Sequence, residues 1–66
     1  MKNSLKVQRA IHDLTQDQLA KKIGVSRQTI NSIEKGKYVP STLLALKMSS
    51  LFEIPVNEFF MLEEDD

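Results

Sequence analysis

An all-α fold follows from three features of this chain. Apolar residues recur at three- and four-residue spacing in successive segments, a Ser, Thr or Asn stands ahead of each of the first four, and no alternating run is long enough to require a strand. Five helices are expected, at about 4–12, 16–23, 27–35, 42–52 and 56–61, forming one compact unit over residues 1–66. A two-residue extended pairing between the amino-terminal residues and Met61 to Glu63 is compatible with the sequence but not demanded by it.

Asn3 or Ser4 can cap the first helix. Val7, Ala10, Ile11 and Leu14 follow at helical spacing, with Leu5 a turn earlier, and are read as its buried stripe. His12 is read as a surface or helix-end residue, because no second metal ligand or nucleophile accompanies it.

The second helix opens at Thr15. Its hydroxyl can accept from a first-turn N–H, and Gln18 three residues on can reach back to close a capping box. Leu19, Ala20 and Ile23 share one side, while Asp17, Lys21 and Lys22 face solvent. Gly24 can take positive φ and stop the helix. Val25 is expected under the corner, and Ser26 caps a third helix almost at once. Between these two helices there is room only for a tight turn.

In the third helix Ile30 and Ile33 mark the inward side, and the opposite side carries Gln28, Asn31, Ser32 and Lys35, with Arg27 at its leading edge. Amide, hydroxyl and guanidinium groups are the donors and acceptors that can pair with base edges. An ordinary solvated helix face has much the same polarity, so composition alone leaves both readings open. Gly36 is read as the helix stop. Tyr38, in the loop after it, can pack over Pro40 with its hydroxyl in water or reach a ligand; the residues favour neither.

Ser41 caps the fourth helix, whose Leu43, Leu44, Leu46, Met48, Leu51 and Phe52 go nearly all the way round. That apolar arc is too broad for a helix buried on one side, so part of it is expected to meet something else. Pro55 pre-sets the first turn of the fifth helix, which bears Val56, Phe59 and Phe60. The closing acidic run, residues 63–66, is expected to be frayed.

Sixty-six residues bury only about 60% of their unfolded surface, which leaves a domain of modest stability that a second subunit would help. The chain has no cysteine and one histidine, so no disulfide, zinc site or other cofactor site is expected. No apolar run is long enough for a membrane span and no signal-peptide pattern opens the chain, so a cytoplasmic location with no membrane partner is expected. A phosphate-cradling glycine loop and a nucleophile–base pair are both missing, so no enzyme and no small-molecule ligand is expected.

Net charge is zero, yet all nine Lys and Arg lie within positions 1–47, where only Asp13, Asp17 and Glu34 oppose them, leaving a surplus of six. Positions 48–66 hold six acids and no base. Such a charge dipole would present one end to a polyanion and turn the other away. An acidic tail that merely aids solubility would look the same.

The run TQDQLAKKIGVSRQTINSIEKGKYVPS resembles the DNA-binding core of the Cro/repressor-type, Xre-like helix-turn-helix family of bacterial and phage regulators, and the resemblance extends from about Leu5 to Phe60. The chain departs from the family pattern at Gln8, where an apolar residue is usual, at Ile11, where a polar one is usual, and at Glu53, where glycine is common.

This resemblance implies a small regulator that binds double-stranded DNA, with base reading by Arg27, Gln28, Asn31 and Ser32. Gln28 would suit adenine and Arg27 guanine. It places phosphate contacts on Gln16, Thr29, Lys35, Lys37 and Tyr38, and a structural ion pair between Arg9 and Glu34. A repressor working as a homodimer on a two-fold operator is expected, with Leu43, Leu51, Phe60, Met61 and Leu62 at the interface. An antitoxin or protein-interaction module that also keeps the DNA site is the alternative.

Overall fold

The computed structural model describes all 66 residues. In chain order they form β1 (Lys2–Asn3), α1 (Leu5–Ile11), α2 (Gln16–Ile23), α3 (Arg27–Glu34), α4 (Thr42–Phe52), a 3-10 turn (Val56–Glu58) and β2 (Phe60–Met61). Four helices are present rather than five. The turn after Pro55 stops at Glu58 because the next residues are drawn into an antiparallel pairing, Lys2 with Met61 and Asn3 with Phe60. Backbone extended to pair with β1 cannot also close helical hydrogen bonds.

The caps that organise the middle of the chain are formed. Thr15 Oγ1 accepts from the Gln18 N–H at 3.0 Å, and Gln18 Oε1 accepts from the Thr15 N–H at 2.9 Å, a complete capping box. Gly24 adopts φ 78°, and the Val25 N–H turns back to the Ala20 carbonyl. Ser26 Oγ then accepts from the Thr29 N–H at 3.1 Å to start α3. That helix ends in a Schellman motif, with Gly36 at φ 74° donating to Ile33 and Lys37 donating to Ser32. The corner is thus fixed at both ends by local sequence.

Eleven residues, all apolar, make the core: Leu5, Leu19, Ala20, Ile23, Ile30, Ile33, Leu44, Met48, Phe52, Phe59 and Phe60. Phe59 meets Phe52 edge to face at 5.4 Å. Phe60 packs against Phe59 inside the same cluster, so it belongs to the core of this chain rather than to an exposed surface.

Helix α1 is rotated relative to the stripe read from its sequence. Leu5 is buried and Gln8 and Arg9 are half-buried, whereas Val7, Ala10 and Ile11 are exposed. The rotation follows from polar bonding. Arg9 must point inward to reach Glu34 and the Leu14 carbonyl, and His12, on the same side, lies 5.2 Å from the Phe52 ring.

The acidic end also differs from expectation. Residues 63–66 form a turn in which Asp66 Oδ2 accepts from the Glu63 N–H at 2.7 Å, and the Met1 ammonium lies 3.0 Å from Glu63 and 3.3 Å from Asp66. Bonding to Glu63, and then to Asp66, raises the pKa of that ammonium, while the Glu63 N–H lowers the pKa of Asp66. The β1–β2 pairing delivers the tail there. Asn3 Nδ2 donates to the Ile33 carbonyl at 2.8 Å, and so joins the strand pair to the carboxyl end of α3. Glu63 therefore lies close to the exit of α3, where it shares a recess with Lys35 and Gly36.

Candidate nucleic-acid interface

The exposed side of α3 and the start of α2 form a continuous polar surface with three shallow recesses. One, of about 370 Å³, is lined by Gln16, Arg27, Gln28 and Asn31 with no apolar side chain. A second, of about 470 Å³, is lined by Arg9, Thr15, Gln16, Asp17 and Arg27. The third, of about 280 Å³, is lined by Ser26, Gln28, Thr29, Ser32, Lys37 and Tyr38. Arg27 joins the first two recesses and Gln28 joins the first and third, so the surface follows α3 from its amino-terminal turn.

The structure brings together on this surface all four residues expected to read bases, along with Gln16, Thr29, Lys37 and Tyr38 from the phosphate set. Lys35 stands apart. It lines a different recess with Met1, Lys2, Asn3, Glu34, Gly36, Met61 and Glu63, where the acidic end of the chain is close. Tyr38 shares the third recess with Ser32 and Lys37 and is 47% exposed. Arg9 and Thr15 also line the surface. Their sequence roles, an ion pair and a helix cap, gave no separate signal for this position.

Beneath the ridge runs a chain of side-chain hydrogen bonds. Arg9 Nε donates to Glu34 Oε2 at 2.7 Å and a terminal guanidinium nitrogen donates to Oε1 at 3.3 Å, with the two side chains only 16% and 7% exposed. Gln16 Nε2 donates to the same Glu34 Oε1 at 3.0 Å and to Asn31 Oδ1 at 3.3 Å. Arg9 also donates to the Leu14 carbonyl at 2.9 Å. α1, α2 and α3 are thereby locked together through groups that reach the surface at Gln16 and Asn31, and no buried side-chain nitrogen or oxygen is left without a partner.

A tight corner between two capped helices, an apolar underside and an outward ridge of amide, hydroxyl and guanidinium groups define a helix-turn-helix DNA-binding regulator. The model of the helix-turn-helix family matches residues 5–59. An HTH-type transcriptional regulator of Methanocaldococcus jannaschii is 56% identical over 66 residues, covering all of both chains. One of Bacillus subtilis is 47% identical over 66 residues, again covering both completely. Among solved structures, the restriction-modification controller protein C.AhdI of Aeromonas hydrophila superposes with a TM-score of 0.75 at 28% identity, covering 85% of each chain. The chain belongs to the Cro/repressor-type, Xre-like helix-turn-helix family of transcriptional regulators. No helix is long and apolar enough to cross a membrane.

Proposed function

We propose that this protein is a transcriptional repressor that binds a two-fold operator as a homodimer, each copy placing the amino-terminal end of α3 in the major groove. The observation that carries the reading is the polar ridge of Arg27, Gln28, Asn31 and Ser32, which offers guanidinium, amide and hydroxyl groups suited to base edges. Lys37, Tyr38 and Thr29 supply phosphate contacts along one flank, and the first-turn N–H groups of α2 supply them on the other. Gln16 acts chiefly through its backbone, because both hydrogens of its amide are already donated within the protein. Lys35 contributes least, given its acidic surroundings.

Specific regulators prefer their sites by about 4–10 kcal/mol over non-specific DNA, and a second copy doubles the base contacts, worth about 1–3 kcal/mol each, that supply this preference. Leu43 on α4 is 66% exposed, Leu46 57% and Leu62 82%, and these offer the apolar surface for pairing. Met61 is 37% exposed and Leu51 is half-buried, while Phe60 is enclosed in the monomer core.

Sedimentation with and without a duplex selected from a random pool tests the proposal. A two-chain mass at high protein concentration and two chains per selected duplex are the expected results. A single-chain mass throughout contradicts the homodimer.

A further inference from the structure

We infer that Asn31 is held in one amide orientation by Gln16 and Glu34, so that it offers hydrogen-bond donors to the groove and selects guanine over adenine. This assignment rests on the DNA-binding reading above and specifies what one contact recognises.

Glu34 anchors the arrangement. An ionised carboxylate only accepts, and this one is enclosed by Arg9 and by α2. Gln16 reaches its Oε1 at 3.0 Å, so the group presented must be the Gln16 NH2; the reversed amide would set two acceptors against each other. The second hydrogen of that NH2 faces Asn31 at 3.3 Å, so Asn31 must present its carbonyl oxygen, since its own NH2 there would set donor against donor. Polarity thus passes outward from carboxylate to Gln16 NH2 to Asn31 carbonyl, leaving the Asn31 Nδ2 hydrogens for the DNA.

An asparagine free to rotate pairs with adenine by donating to N7 and accepting from N6. Asn31 has its acceptor turned toward Gln16, so the edge that suits it is one made of acceptors, and guanine presents N7 and O6 in the major groove. Gln16 is therefore a positioning residue. It changes which base is chosen without touching that base.

Site selection from random duplexes, run with the wild-type protein, Asn31→Ala and Gln16→Met, tests this. Asn31→Ala identifies the base pair that Asn31 reads, as the position where discrimination disappears. At that position the wild type is expected to prefer guanine over adenine by at least about fivefold. Gln16→Met is expected to reduce that ratio to within about twofold while the preference at positions read by Arg27 and Gln28 persists. Adenine at the Asn31 position, or an unchanged ratio in Gln16→Met, overturns the assignment and leaves the DNA-binding reading intact. Failure to select any duplex overturns both.

Proton exchange in the unaltered, DNA-free protein supplies a check that does not depend on a variant folding. The Gln16 carboxamide protons should exchange with solvent more slowly than those of Asn31, and the reverse order overturns the assignment.

Discussion

Helices α3 and α4 have equivalent inner faces and opposite outer ones. Both bury aliphatic residues in the same core, Ile30 and Ile33 from one and Leu44 and Met48 from the other. Outside, α3 shows Arg27, Gln28, Asn31 and Ser32, while α4 shows Leu43 and Leu46. The inner faces account for the fold, and the outer faces separate two kinds of contact. A polar ridge with an organised bonding network beneath it suits a hydrated, charged duplex, whereas exposed leucines gain only when water is removed from them. Variants of the two helices should consequently fail in different ways.

The largest effect is expected where α3 joins the rest of the molecule. Glu34→Ala strands the Arg9 guanidinium and a Gln16 donor in a poorly solvated place, at a cost of about 3–5 kcal/mol. At about 4–8 °C per kcal/mol for a domain of this size, thermal melting should fall by at least about 10 °C. A loss under about 1 kcal/mol would show that the pair behaves as a surface contact.

Next comes the outer face of α4. Replacing Leu43 and Leu46 together by Glu should leave single-chain stability within about 0.5 kcal/mol at each exposed site, yet weaken binding to a two-fold duplex by about 100-fold or more by removing the linked second copy. Titration of full and half sites, paired with a melt, measures both quantities. Equal affinity for the full site before and after the change would deny α4 its role.

Arg27→Ala should be smaller and local, costing about 1–3 kcal/mol of discrimination at one base pair, with melting unchanged. Competition between single-base variants of the site reads this directly. Smaller still, and of opposite sign, is Glu53→Gly. Glu53 ends α4 at φ 59°, a conformation that disfavours a side chain, so glycine should raise stability by about 0.5–1 kcal/mol in a melt. A decrease would mean that the Glu53 side chain makes a contribution larger than the strain.

The corner from Thr15 to Gly36 was legible because its determinants are local: capping box, glycine stop, serine cap and Schellman exit each involve residues a few positions apart. The errors fall where distant residues decide. The apolar periodicity of α1 points to Val7 and Ile11 as its buried side, whereas an ion pair to Glu34, 25 residues away, turns Arg9 inward instead. The departures from the family pattern at Gln8 and Ile11 mark the same rotation. The fifth helix gave way to a short turn because β1, at the other end of the chain, captures Phe60 and Met61. The recesses that unite the candidate site likewise depend on how α2 lies against α3. Sequence could name Gln16 and Asn31 individually, but not that one holds the other.

The central claim is that the α3 ridge reads bases while the residues around it grip phosphate. Selection of bound duplexes at two salt concentrations, carried out with wild type, Arg27→Ala, Gln28→Ala and Lys37→Ala, addresses it most directly. The account predicts that the first two variants lose preference at separate base pairs, while Lys37→Ala weakens all sequences alike and lowers the salt slope by about 1. Three variants with indistinguishable selection profiles, or a wild-type protein that retains no duplex even at low salt, would contradict it.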